Sequence, residues 1–295
     1  MEIKEVEYSK FKNIDKIKIG LVNLKLYNEN WEASVKNREI KTLKRYQQLE
    51  RVVREAIKRK PDYLIFPELA IPQDWAYEMH QKLLSNKISL ITGVEYIHNK
   101  DKDKVRNSIV KYLLTDKFGY NSMEYYRQDK VVGAYQEDID LNRIAGLRVE
   151  PSEEFLEKNI YKHGDFLFSC LICNELTDIQ NRVNLRGKID ALFILEWNKD
   201  INSFNAYVES ASLDIHSYIV QVNNRAYGDS RIRAPYKEDF NRNIVQLKGG
   251  NHDYVIVGEI DVKSLREFQS NHISPSKLFK PTPTGFEISE DRKKW

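Results

Sequence analysis

Short uninterrupted apolar runs alternate with amphipathic stretches along the whole chain. Strands are expected at IKIGLVNLKL, YLIF, ISLITGVEY, SIVKYLL, MEYYRQ, FLFSCLIC, ALFILEW, SYIVQVNN, IVQL and YVIVGEIDV. Helical spacing is clearest over Arg38 to Arg59, Gln73 to Leu84, Asp178 to Arg186 and Ser203 to His216. Continuous apolar strands such as ALFIL, interleaved with helices, call for a sheet buried on both faces. Short turns between Ile88 and Gln128 add hairpins to it. The pattern therefore predicts an α/β layered domain, with room for two sheets stacked face to face. No Gly/Ser-rich linker, internal repeat or low-complexity tract divides the chain, so one domain is expected over residues 1–262. Beyond Asp261 come Pro275, Pro281 and Pro283 among polar neighbours, and residues 263–295 are expected to wrap as an irregular arm of the same domain.

Charge narrows the function classes. The 47 basic and 44 acidic side chains of the 295 residues nearly cancel to +3, with both signs interspersed, which speaks against nucleic acid or membrane as the main partner. The most basic stretch, Lys41 to Lys60, carries Leu43, Leu49, Val53 and Ile57 at helical spacing, so its charges read as a solvated helix face. No apolar run approaches the roughly 20 residues needed to span a bilayer. The beginning, MEIKEVEYSKFK, is too charged for a secretory signal, and a soluble cytoplasmic protein is expected. Only Cys170 and Cys173 are present, so there is no disulfide framework. Their Cys-x-x-Cys spacing lies in a strand pattern rather than at the helix start a redox motif uses. A zinc site would need two further ligands, and His163 nearby supplies no such pattern; no metal or cofactor is expected.

Three segments place a reactive side chain at the end of an apolar strand, where α/β folds build their sites. Glu68 follows YLIF through Pro67, Lys130 lies just past MEYYRQ, and Cys173 ends FLFSCLIC before Asn174 and Glu175. Taken singly, these are a turn glutamate, a surface lysine and a core cysteine. Taken together they supply a base, a cationic donor for a developing oxyanion, and a nucleophile.

The order and surroundings of these residues resemble the carbon-nitrogen hydrolase superfamily, the nitrilases and amidases. There a Glu in an F-P-E context, a Lys after a Tyr-rich strand and a Cys in an I-C-x-E or I-C-x-D context form the triad. The resemblance continues through LRGKIDALFILEWNKD, through AYVESASLDIHSYIVQVNNRAYGDSRI and through DYVIVGEIDV, so it covers nearly all of the chain to about Val262. It implies a four-layer α-β-β-α sandwich, Glu68 as general base, Lys130 as oxyanion stabiliser and Cys173 as nucleophile. A further carboxylate beyond the lysine is implied to help position base and substrate, with Glu137 the candidate and Asp138 its neighbour. The sequence departs from the family after the lysine, at Val131 to Ala134, in NELTDIQNR, which lacks the usual proline, and in RIRAPYKEDF. These are places where substrate is normally held.

The implied reaction is hydrolysis of a non-peptide carbon-nitrogen bond, with amide the first choice, through a Cys173 thioester. The oxyanion would lie between Lys130 and the backbone N–H of Asn174, with the charge of Lys130 lowering the thiol pKa. Trp197 and Asn198, at the end of ALFILEW, are candidates for the pocket wall. The family also implies a homodimer. The alternative is a nitrilase-like module that binds or assembles within a larger system, for which the basic helix before Lys60 and the basic end DRKKW would offer surfaces. A papain-like enzyme finds no partner context at any of the six histidines.

Overall fold

The continuous apolar runs become the central strands of two sheets. A computed structural model describes residues 1–99, 103–271 and 278–293. In chain order its strands are β1 (Ile3–Val6), β2 (Lys16–Asn23), β3 (Tyr63–Ile65), β4 (Ser89–His98), β5 (Lys104–Thr115), β6 (Ser122–Asp129), β7 (Arg148–Val149), β8 (Ile160–His163), β9 (Phe166–Ile172), β10 (Ala191–Glu196), β11 (Tyr218–Asn223), β12 (Ser230–Arg233), β13 (Asn243–Leu247) and β14 (Tyr254–Asp261). The α-helices are α1 (Asn28–Val35), α2 (Leu43–Arg59), α3 (Gln73–Leu84), α4 (Tyr135–Ala145), α5 (Ile179–Leu185), α6 (Ile201–Ala211), α7 (Val262–Asn271) and α8 (Glu290–Lys293).

One sheet runs β1-β8-β9-β10-β11-β12-β13, and the other β14-β2-β3-β4-β5-β6 with β7 beside β5. Within the first, β9, β10 and β11 are parallel. Within the second, β2, β3 and β4 are parallel, and antiparallel steps through β5 bring β6 back into the direction of β3. The sheets meet face to face: Tyr63 of β3 packs its ring against Phe166 and Phe168 of β9 and Phe193 of β10. Gln128 of β6 donates across the interface to the Cys170 carbonyl at 3.0 Å. Outside, α2 and α3 bury Leu49, Val52, Val53, Met79 and Leu83 against the second sheet. On the other side α5 and α6 bury Leu185, Phe204 and Val208 in the core that spans the first sheet. This is the four-layer α-β-β-α arrangement expected.

Element ends differ where local polar chemistry decides them. Helix α2 begins at Leu43 rather than Arg38, because the Thr42 hydroxyl accepts the Arg45 N–H and caps it there. Helix α6 passes directly into a π turn over Ser212–His216, which completes the helix expected to His216. Past Asp261 the chain opens with α7 rather than irregular structure. Val262, Leu265, Arg266 and Gln269 are its buried residues, a one-faced stripe at helical spacing that the prolines beyond it obscure. Among the tail's expected features, Ser274 to Lys277 and the last two residues of DRKKW lie outside the described residues.

Candidate active site

Parallel β3 and β6 in one sheet, and β9 and β10 in the other, deliver their C-terminal ends to the site. Glu68 follows β3 in the turn Phe66 to Ala70, which β4 holds: Gly93 N–H donates to the Pro67 carbonyl at 3.1 Å, and Ala70 N–H to the Gly93 carbonyl at 3.1 Å. A side chain on Gly93 would bring its Cβ within 2.5 Å of the Glu68 Cα, so only glycine lets the turn lie this close. Lys130 directly follows β6, its N–H bonded to the Asn107 carbonyl of β5 at 2.7 Å. Cys173 directly follows β9 and opens a 3-10 turn over Cys173–Thr177 with φ of 46°, a left-handed conformation that costs a non-glycine residue on the order of 1 kcal/mol or more. Glu175 in that turn ties the segments together. Its carboxylate accepts the Ile172 N–H at 2.9 Å and the Val131 N–H at 3.2 Å, with Lys158 at 3.3 Å.

The buried ionic groups form one network. Lys130 Nζ donates to Glu68 Oε1 at 3.0 Å and to Glu137 Oε2 at 2.6 Å. Asn107 Nδ2 lies between the same two carboxylates, 2.7 Å from Glu68 Oε1 and 2.8 Å from Glu137 Oε1. The Tyr96 hydroxyl donates to Glu137 Oε1 at 2.8 Å, and the Ala134 N–H to Glu137 Oε2 at 3.0 Å. Glu68 Oε2 accepts the backbone N–H of Trp197 at 2.9 Å, a bond that crosses from one sheet to the other. Among the described residues these bonds occupy two of the three N–H donors of Lys130, leaving one for a developing oxyanion.

Electrostatics sort the groups into roles. Burial pushes the Glu68 carboxyl above the ordinary range, Lys130 opposing it and Glu137 adding to it. A raised carboxyl accepts a proton more readily than an ordinary surface carboxylate does. Burial works against the Lys130 charge, but Glu137 and Glu68 override it and keep the ammonium well above the lysine range. Burial likewise opposes charge on Glu137, and Lys130 outweighs it, so Glu137 stays ionised. The Cys173 thiol is raised well above its ordinary value by burial and then by Glu68, with Lys130 acting in the opposite direction. The expected lowering by Lys130 is thus present but outweighed, because the thiol is almost enclosed and faces carboxylates as well. The resting Cys173 is a neutral thiol beside a carboxylate.

Glu68, Lys130, Glu137 and Cys173 are brought together. Asp138 lies one residue on in α4, and its Oδ1 accepts the Val149 N–H at 3.3 Å. The Asn174 side chain reaches the Val132 carbonyl at 3.5 Å. Trp197 is half-buried between two apolar clusters and contributes its backbone N–H to Glu68. Asn198 is engaged in a turn: its Oδ1 accepts the Asp200 N–H at 2.9 Å, and its own N–H bonds Asn223 Oδ1. Asn107, Tyr96 and Glu196 were not anticipated. Their signal is a polar side chain inside an apolar run, as in VRNSIVKYLL and ALFILEW. No group of three or more His, Cys, Asp and Glu side chains among the described residues is arranged to hold a metal ion.

No protein-family model and no curated sequence matches the chain. Its fold does match solved structures. Nit3 of Saccharomyces cerevisiae, a member of branch 10 of the nitrilase superfamily, superposes with a TM-score of 0.60 at 16% identity, covering 86% of this chain and 93% of that one. An amidase from Nesterenkonia sp. gives 0.56 at 11% identity over 86% and 93%. XC1258 of Xanthomonas campestris, a CN-hydrolase superfamily protein solved with an arsenic adduct in its active site, gives 0.56 at 11% over 87% and 95%. The chain therefore has the fold of the nitrilase superfamily.

Proposed function

We propose that the protein is a carbon-nitrogen hydrolase of the nitrilase and amidase type that cleaves a small amide through a Cys173 thioester. What carries the reading is the convergence, at one edge of two stacked sheets, of a buried Glu68–Lys130–Glu137 network with a cysteine in a strained left-handed turn. Glu68 takes the thiol proton as Cys173 Sγ bonds to the acyl carbon. The oxyanion so formed meets the remaining Lys130 N–H and the Asn174 backbone N–H, donors each worth about 3 kcal/mol in comparable sites. Its collapse breaks the C–N bond, and protonated Glu68 gives its proton to the departing nitrogen. Glu68 then deprotonates a water that attacks the thioester, releasing the acid and restoring the thiol. Glu137 keeps Lys130 charged throughout. A small-molecule amide or nitrile is the partner this chemistry needs, and two copies of the chain are expected to associate as a dimer.

In a structure of a glutamate-to-glutamine mutant of the Nesterenkonia amidase the acetamide moiety of fluoroacetamide is covalently added at the active-site cysteine. The same reagent tests this chain. Fluoroacetamide should add an acetamide mass to the Cys173 peptide. A panel of amides, carbamoyl compounds and nitriles should release ammonia from at least one member. Cys173→Ala should lower that release more than about 1000-fold with unfolding unchanged. Ammonia release retained in that variant, or no release from any compound together with labelling of Cys173 no faster than a free thiol, would overturn the reading and favour a binding module.

A further inference from the structure

Glu196 is a fully buried acid for which the chemistry above has no use. It ends β10, one residue after the Leu195–Ile172 register pair that also immediately precedes Cys173, and one residue before Trp197, whose N–H holds Glu68. Its Oε2 accepts from Gln221 Nε2 at 2.9 Å, while its Oε1 is buried with no hydrogen-bond partner. An ionised carboxylate left half-unsatisfied in this position would be costly, whereas a neutral acid is tolerable. The charged groups that face it are few. Arg231 of β12 is engaged by Asn205 of α6 and by Asp229, and Asp229 and Glu68 both repel a negative charge on Glu196. From β11 come only uncharged Gln221 and Asn223.

We propose that Glu196 is a positioning residue for the nucleophile, a carboxyl that must remain uncharged beside the Cys173 turn for the thiol to be activated, and whose ionisation suppresses that activation. The inference rests on Cys173 being the nucleophile. Around the thiol stand two carboxylates, Glu68 and Glu137, against the single cation Lys130, and a third negative charge would further disfavour the thiolate. A negative charge on Glu196 acts on the thiol in the same sense as the charges on Glu68 and Glu137, holding its pKa up. Burial, with Glu68 adding to it, lifts the Glu196 carboxyl to about 8. At neutral pH it therefore holds its proton, and it loses it in mildly alkaline solution, where cysteine reactivity otherwise increases.

Glu196→Gln keeps the shape and removes the ionisation. The readout is the rate of Cys173 alkylation by iodoacetamide, followed on its own peptide to separate it from Cys170, between pH 6.5 and 9.5. The ratio of the variant's rate to that of the unaltered protein should be constant below pH 7 and rise about threefold or more across pH 8. A ratio flat with pH overturns the proposal. Gln221→Leu is the second variant. It removes the bond that favours the ionised acid, so the alkaline loss of reactivity should begin at higher pH than in the unaltered protein; an unchanged onset also counts against it. Alkylation needs no turnover, so a chain that hydrolyses nothing but shows the rise would lose the hydrolase reading and keep this one. A chain that hydrolyses amides with a flat ratio would do the reverse.

Discussion

Asn107 carries more of the site than its size suggests. Its single amide nitrogen bonds both Glu68 and Glu137, and its carbonyl fixes the Lys130 backbone, so one residue sets the distance between the two carboxylates that share the lysine. Asn107→Ala leaves the two carboxylates facing each other with only Lys130 between them. The expected result is a loss of about 100-fold in kcat for ammonia release, since small displacements of a base have effects of that size. Slower fluoroacetamide labelling of Cys173 should accompany it. Undiminished turnover would show that Lys130 alone organises the pair. Glu68, Lys130 and Cys173 could be picked out beforehand because each ends an apolar strand, a place where a reactive group is conspicuous. Asn107 and Tyr96 could not, because they lie within strands. There the polar side chain points at a partner on another element, and only the register of β4, β5 and β6 brings them together.

At the scale of elements, the site depends on how closely β4 approaches the Glu68 turn. Gly93 lies against the backbone of Glu68 and Leu69, and the Cβ of an alanine would meet both at 2.5 Å. Backbone has no rotamer with which to move aside. Gly93→Ala should therefore displace Glu68 and destabilise the fold by about 1–3 kcal/mol, as overpacking of a core does. Activity should fall further than the loss of folded protein explains, which kinetics on material checked by circular dichroism would separate. Equal loss of folded protein and activity would assign Gly93 a structural part alone. The strands around this turn were legible from their apolar runs, whereas helix α4, which carries Glu137, was not. Leu141 is its only buried residue, so no apolar stripe marks it. It is held instead by polar contacts at its start, where Glu137 accepts the Ala134 N–H, and by Gly146 in a left-handed C-cap.

For the molecule as a whole, the C-terminal segment is joined to the first sheet through buried charge as well as through the apolar contacts of Val262, Leu265 and Phe279. Asp190, just before β10, bonds Arg266 of α7 at 2.5 and 2.8 Å and Arg292 of α8 at 3.0 Å. Arg292 is fully buried and also donates to the Gly187 carbonyl at 3.0 Å and to Gln269 at 2.6 Å. The layered core could be foreseen from hydrophobic pattern, whereas this attachment could not, because an Asp lying 76 and 102 residues from its two Arg partners carries no periodic signal. Burial opposes the Asp190 charge, but Arg266 and Arg292 together hold its carboxyl below the usual range. An acid depressed in the folded state contributes stability that is present above its unfolded pKa and disappears as pH falls through its folded one. Arg292→Ala should therefore lower the unfolding free energy by about 3–5 kcal/mol at pH 7, the range for removing one partner of a buried ion pair. The gap between variant and unaltered protein should narrow as the solution is acidified below the ordinary carboxylate range. Urea unfolding of both chains at pH 7 and at stepwise lower pH measures it. A gap that is absent at pH 7, or that does not narrow on acidification, would mean that the segment is held by its apolar contacts and not by Asp190.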